Sequence, residues 1–166
     1  MFDPTAFDNI KFIMQAEVYD RELEGLLRVQ DRKDQIDLAK LSREASITFS
    51  LKARPRLSVM LSISSSLEKL AGELLDIPEA TPGVMLEITY SGGETVLTTR
   101  RMDQLEEQWG EGRRYERLKI ESNQRETIYK HHIHFNRLIT EDMIEEFGAL
   151  VDFIMETLDD KTTEER

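Results

Sequence analysis

Apolar and polar residues alternate along much of this chain. In "IKFIMQAEV" the pattern sets Ile10, Phe12, Met14, Ala16 and Val18 on one side, the period-two signature of a half-buried strand. "ASITFSLK" repeats it with Ala45, Ile47, Phe49 and Leu51, and "LSVMLSIS" with Leu57, Val59, Leu61 and Ile63. The intervening "RPR" is the kind of breaker that joins two antiparallel strands. "VMLEITYSGGETVLTTR" reads as two extended runs around Gly92 and Gly93, residues suited to a tight turn. "RYERLKIE" and "ETIYKHHIHF" flank Asn123 and Gln124 in the same way.

Elsewhere the spacing is helical. "SSLEKLAGELLDIP" places Leu67, Leu70, Ala71, Leu74 and Leu75 on one side of a 3.6-residue period, with Ser65 and Glu68 as a capping box and Pro78 as a stop. A last helix is expected to open at Thr140, with Glu141 and Asp142 in its first turn, where acid complements the helix dipole. Phe147, Leu150, Val151 and Ile154 mark its apolar face, too broad for a coiled-coil seam and suited to packing across a sheet. "DQIDLAKLS", capped by Asp34, and "MDQLEEQW" read as shorter helices. Hairpins with few helices between them predict an α+β fold: a largely antiparallel sheet carrying two or three helices, among them a long amphipathic C-terminal one. Residues 1–158 are expected to form one domain, and 159–166 a charged, frayed tail.

The stretch "YKHHIHF" holds all three histidines of the chain. On a strand, His132 and His134 share a face with Lys130, whereas His131 joins Tyr129, Ile133 and Phe135 on the core face. Two imidazoles at i and i+2 suit a divalent metal such as zinc and, with a carboxylate from a neighbouring strand, a hydrolase-like site. A solvated strand face explains the same pattern without a cofactor. With a short loop at Asn123–Gln124, Glu116 falls opposite His131, giving a candidate acid–imidazole pair for proton transfer. A satisfied core histidine is the plain alternative.

Composition narrows the chemistry. The chain has no cysteine, which removes disulfides, thiolate metal sites and thiol catalysis and fits a reducing compartment. The acidic opening "MFDPTAFDNI" differs from a signal peptide, and no segment approaches the roughly 20 apolar residues of a membrane span. A cytoplasmic location without a membrane partner is therefore expected. The net charge is −11, of which −8 lies from Glu141 onward, so gripping a nucleic-acid backbone is not expected. "RRYERLK" mixes cations with acids rather than forming a basic aromatic platform. Glycine-rich phosphate loops, G-x-S-x-G, H-E-x-x-H and EF-hand patterns are missing.

A second surface follows from the alternation. Ser46, Thr48 and Ser50, beside Ser58, Met60 and Ser62, form the outward face of the strands around "RPR". Outward sheet faces usually carry charge, and this one is nearly neutral, as a face covered by a helix or a second subunit would be. Finally, "FDPTAFDNIK" and "YKHHIHFNRLITEDMIEEF" resemble a small uncharacterised protein family of Bacillus-type bacteria. That resemblance implies a bacterial protein and assigns no activity. As a fold analogy, a small acidic α+β protein closed by an amphipathic helix is similar to secretion-chaperone-like dimers, though the extra N-terminal strands depart from them. The leading expectation is a non-catalytic, homodimeric interaction or adaptor module with an unknown protein partner. The alternatives are the histidine metalloenzyme and a carrier whose final helix closes over an apolar ligand.

Overall fold

The structure is a computed structural model that describes residues 5–66, 71, 75 and 82–159. Thr5 accepts a hydrogen bond from the Asp8 backbone N–H (3.3 Å) and donates its hydroxyl to the Asp8 carboxylate (2.8 Å). This cap starts helix α1, Ala6–Leu23, where alternation had predicted a strand. Ile10, Met14 and Val18 satisfy both periods. Their four-residue spacing, joined by Ala6 and Phe7, forms the buried stripe, whereas Phe12 is 68% exposed.

The chain then makes four antiparallel strands: β1 (Leu27–Asp37), β2 (Ser42–Leu51), β3 (Arg54–Ser65) and β4 (Val84–Gly93). Helix α2 (Thr99–Trp109) precedes β5 (Arg114–Ile120) and β6 (Ile128–Ile139). A 3-10 turn at Glu141–Glu146 leads into α3, Phe147–Leu158. The six strands lie in the order β1-β2-β3-β4-β6-β5, every pair antiparallel. This is the expected α+β class, with the C-terminal helix packed on the sheet.

Several local expectations are corrected. "DQIDLAKLS" is the end of β1 and its turn into β2, not a helix; Asp34 pairs with Ala45 across the sheet, and Ile36, Leu38 and Leu41 are exposed. No hairpin follows Gly92 and Gly93: Val96 and Leu97 donate to the Gly93 carbonyl, and Thr98 caps α2 by accepting from the Arg101 N–H. Thr140 precedes a 3-10 turn without a side-chain capping bond, and the α-helix proper begins at Phe147. The helix read in 65–78 and the tail after Asp159 lie largely outside the described residues.

One sheet face, here the inner face, carries Ile47, Phe49, Val59, Leu61, Ile88 and Ile133 into a core shared with α1, α2 and α3. Arg21 of α1 ties the first helix to the last, reaching the Gly148 carbonyl (3.1 Å) and the Asp152 carboxylate (2.9 Å). In β6 an irregularity places two extra residues opposite β4 between the Glu87–His134 and Met85–Leu138 pairs. Asn136 takes the left-handed conformation there (φ 53°), which its short polar side chain tolerates better than most.

Candidate functional site

Strand β6 divides the three histidines as alternation requires. His131 is fully buried on the inner face; His132 and His134 lie on the outer one. The pairing of β5 with β6 sits one residue from the expected register because the connection runs through 121–127. Arg117 lies opposite His131, and Glu116 lies opposite His132 on the outer face. Glu116 is exposed and does not partner His131.

The buried imidazole instead meets α2. Its Nε2 lies 3.0 Å from Glu106 Oε1, and Arg117 binds Glu106 through two hydrogen bonds of 3.1 and 2.9 Å and Asp103 through one of 2.7 Å. Hydrogen bonding from Arg117, with a smaller contribution from His131, outweighs burial and holds the Glu106 carboxyl below its ordinary range. Burial dominates at His131, and Glu106 offsets it only in part, so the imidazole titrates below its ordinary value. Its Nδ1 is buried with no partner, which fits a neutral ring donating from Nε2 to Glu106. The arrangement fixes α2 and β5 on β6. Within it the imidazole is fully buried, while the Glu106 side chain is 30% exposed.

Glu106 was legible in principle. Met102, Leu105, Glu106 and Trp109 have the i, i+3, i+4, i+7 spacing of a sheet-facing stripe, so an acid there points inward.

On the outer face Glu87 bridges two histidines. His132 Nδ1 lies 2.8 Å from Glu87 Oε1 and 2.8 Å from Thr89 Oγ1, while His134 Nδ1 is 3.6 Å from Glu87 Oε2. The two rings stack with centroids 6.1 Å apart and an interplanar angle of 23°. Both Nδ1 atoms face the Glu87 carboxylate in this arrangement. No group of three or more His, Asp or Glu side chains among the described residues is placed to hold a metal.

The outer face continues from these histidines toward β3 and β2. Cross-strand pairing aligns Thr48, Met60, Thr89 and His132 in one row, and Ser46, Ser62, Glu87 and His134 in the next. Ser46, Ser50 and Ser62 are buried by their neighbours, while Thr48, Ser58 and Met60 keep part of their surface. Gln30 Nε2 donates to Ser50 Oγ (3.0 Å), and Ser62 Oγ donates to Glu44 Oε1 (3.0 Å). Leu118, Ile120 and Ile128 form an exposed apolar end to the same face.

The proposed helix face fares differently. Phe147, Val151 and Ile154 are buried in the fold, and only Leu150 retains exposure. Leu150 lines an open groove of about 320 Å³, together with Trp109, Phe135 and Phe153. Trp109 meets Phe135 edge-on at 5.7 Å and Phe153 at 4.7 Å. The Arg113 guanidinium lies 4.3 Å from the Phe135 ring centroid.

Below the groove, Trp109 Nε1 donates to Tyr90 Oη (3.1 Å), which is 2.6 Å from Thr157 Oγ1. Thr157 in turn donates to the Ile154 carbonyl (2.6 Å). Because each hydroxyl has one proton, Tyr90 must donate to Thr157. The hydrogen bonds therefore run in one direction from α2 through the sheet to α3. Arg101 adds a hydrogen bond to the Thr157 carbonyl.

Among known proteins, the chain matches no family model, no curated sequence and no solved structure. Among the described residues, no helix is long and apolar enough to cross a membrane.

Proposed function

We propose that this protein is a non-catalytic interaction module that self-associates through the outer face of its sheet. The observation that carries this reading is the asymmetry of the sheet: among the described residues α1, α2 and α3 all contribute to the core on the inner face, while the middle of β2 and β3 on the outer face carries only Ser, Thr and Met, with Glu44 and Glu87 beside it. A solvent-facing sheet surface normally alternates with charged residues. Here Thr48, Ser58, Met60 and Ser62 stand where those charges are expected, with Leu118, Ile120 and Ile128 beyond them.

Size is compatible with this use. Six strands at about 4.8 Å spacing and about eight residues of paired length offer roughly 700 Å² of projected surface. A standard interface buries about 800 Å² per partner. A two-fold arrangement would stack two such faces about 10 Å apart, with small hydroxyl side chains allowing close approach.

Light scattering over a concentration series tests the reading, with the 19.3 kDa chain mass as reference. Wild-type protein is expected at twice that mass, and Met60→Lys at the single-chain mass with unchanged circular dichroism. A wild-type protein that stays monomeric at high concentration would refute self-association.

A further inference from the structure

The groove between α2, β6 and α3 combines an aromatic floor with two cations at its mouth. Arg113 and Arg137 both line it. Neither forms an ion pair with a described residue, and the buried Nε of Arg113 has no hydrogen-bond partner. In a chain with 33 acidic residues against 22 basic ones, Arg21, Arg43 and Arg117 pair with carboxylates. Exposed arginines such as Arg28 and Arg114 do not pair with a described one, and what sets Arg113 and Arg137 apart is their place on one apolar groove. Two arginines left without a carboxylate beside the same apolar surface mark a place suited to an external anion. Glu146 is the single acid in the lining, so cations outnumber acids there.

The backbone accounts for the placement. Tyr115 pairs with Ile133, which puts Arg113 two residues further along the same face as Phe135. The irregularity at Asn136 inserts two residues, an even number, so Phe135 and Arg137 both stay on the inner face opposite Leu86. That widens the inner face of β6 where the groove opens. The indole N–H of Trp109 is already committed to Tyr90, so the ring presents carbon to an occupant.

We infer that this groove binds a small amphipathic carboxylate, its apolar body against Trp109, Phe135 and Phe153 and its carboxylate between Arg113 and Arg137. At about 30 Å³ per water-sized group, 320 Å³ holds roughly ten non-hydrogen atoms, the scale of an arylalkanoic acid. Arginine suits the task because its planar fork matches a carboxylate.

Trp109 is the only tryptophan of the chain, so its fluorescence reports directly on the groove. Hydrocinnamate and hydrocinnamyl alcohol, which share an apolar body and differ in charge, are titrated against the full-length protein, with calorimetry in parallel. The acid is expected to give a saturable change and to bind at least about tenfold more tightly than the alcohol, the scale of one charge-assisted hydrogen bond. Arg137→Gln is expected to remove most of that difference while leaving thermal stability unchanged. Leu150→Phe, which fills the groove without touching either arginine, is expected to weaken both ligands.

Three results would each overturn the inference: no saturable binding by either method, equal affinity for acid and alcohol, or an unchanged preference in Arg137→Gln. A Trp109 signal that changes with protein concentration alone would assign the groove to a second copy of the chain, and the inference would fall.

Discussion

Replacing Tyr90 by phenylalanine isolates the directed hydrogen bonds that join α2 and α3 to the sheet. The ring is fully buried and its volume is nearly conserved, so the substitution removes one oxygen and creates no large cavity. Two bonds disappear. Thr157 keeps its donation to the Ile154 carbonyl and loses only a donor to its own oxygen. The Trp109 N–H is left in the interior without an acceptor. A buried donor without a partner costs about 1–3 kcal/mol. For a chain of this length each kcal/mol lowers Tm by roughly 2–4 °C, so Tyr90→Phe is expected to melt roughly 2–12 °C below wild type.

Thermal and urea unfolding followed by far-ultraviolet circular dichroism provide the assay, with equal urea m-values confirming that the same cooperative unit unfolds. Thr157→Val removes the acceptor at the other end, and the double substitution should cost less than the two singles together, because they share one bond. A Tyr90→Phe Tm within about 1 °C of wild type would refute the reasoning. The same burial pushes the Tyr90 hydroxyl up to about 12 from its ordinary value of 10.0. Its contribution is therefore fully present below pH 10.0 and is lost as pH rises toward 12.

Two further outcomes follow. His131 titrates below its ordinary 6.5 because burial penalises the cation. The unfolded chain therefore takes up this proton first, and stability is full above pH 6.5 and falls as pH drops toward the folded value. Unfolding midpoints measured on both sides of that pH should show the trend for wild type and not for His131→Phe; a wild type that gains stability on acidification through this window would contradict it. Gly83→Ala places a methyl group 2.6 Å from the Ile139 carbonyl oxygen and 2.7 Å from Leu138 Cγ. Backbone must move, at a cost of about 1–3 kcal/mol, and a neutral result in urea unfolding would show that the β4–β6 edge yields more easily than its packing implies.

Much of the sheet was legible because β2, β3, β4 and β6 are half-buried, and half-burial imposes alternation. The errors fell where that link breaks. Helix α1 has apolar residues at every second position from Ile10 to Val18, but only those spaced by four face the core; the cap from Thr5 to Asp8 was the missed signal. Strand β1 is an edge strand whose later residues are exposed, so it owes its form to pairing with β2 rather than to any pattern of its own. The histidine faces were readable from parity alone. Their partners were not, since the 121–127 connection moved the register by one, exchanging Glu116 for Arg117, and α2 supplied Glu106 from outside the sheet. The groove had no counterpart in the sequence, because Arg113, Phe135 and Leu150 meet only once α3 has docked.

The arginine that ties α1 to α3 also bears on the order of folding. Arg21 and Asp152 are 131 positions apart, and Asn9 reaches Glu141 across 132. Between those ends, the β1–β2 and β2–β3 hairpins close through 38–41 and 52–53, whereas residues 66–83 separate β3 from β4. Contacts of such unequal range imply a meander that zips early and a pair of outer helices that lock late, the regime of slower folders. Until that final closure, Phe49, Leu61 and Ile88 lack part of their cover, so the period of greatest vulnerability to aggregation is the interval after the sheet exists and before its two ends have met.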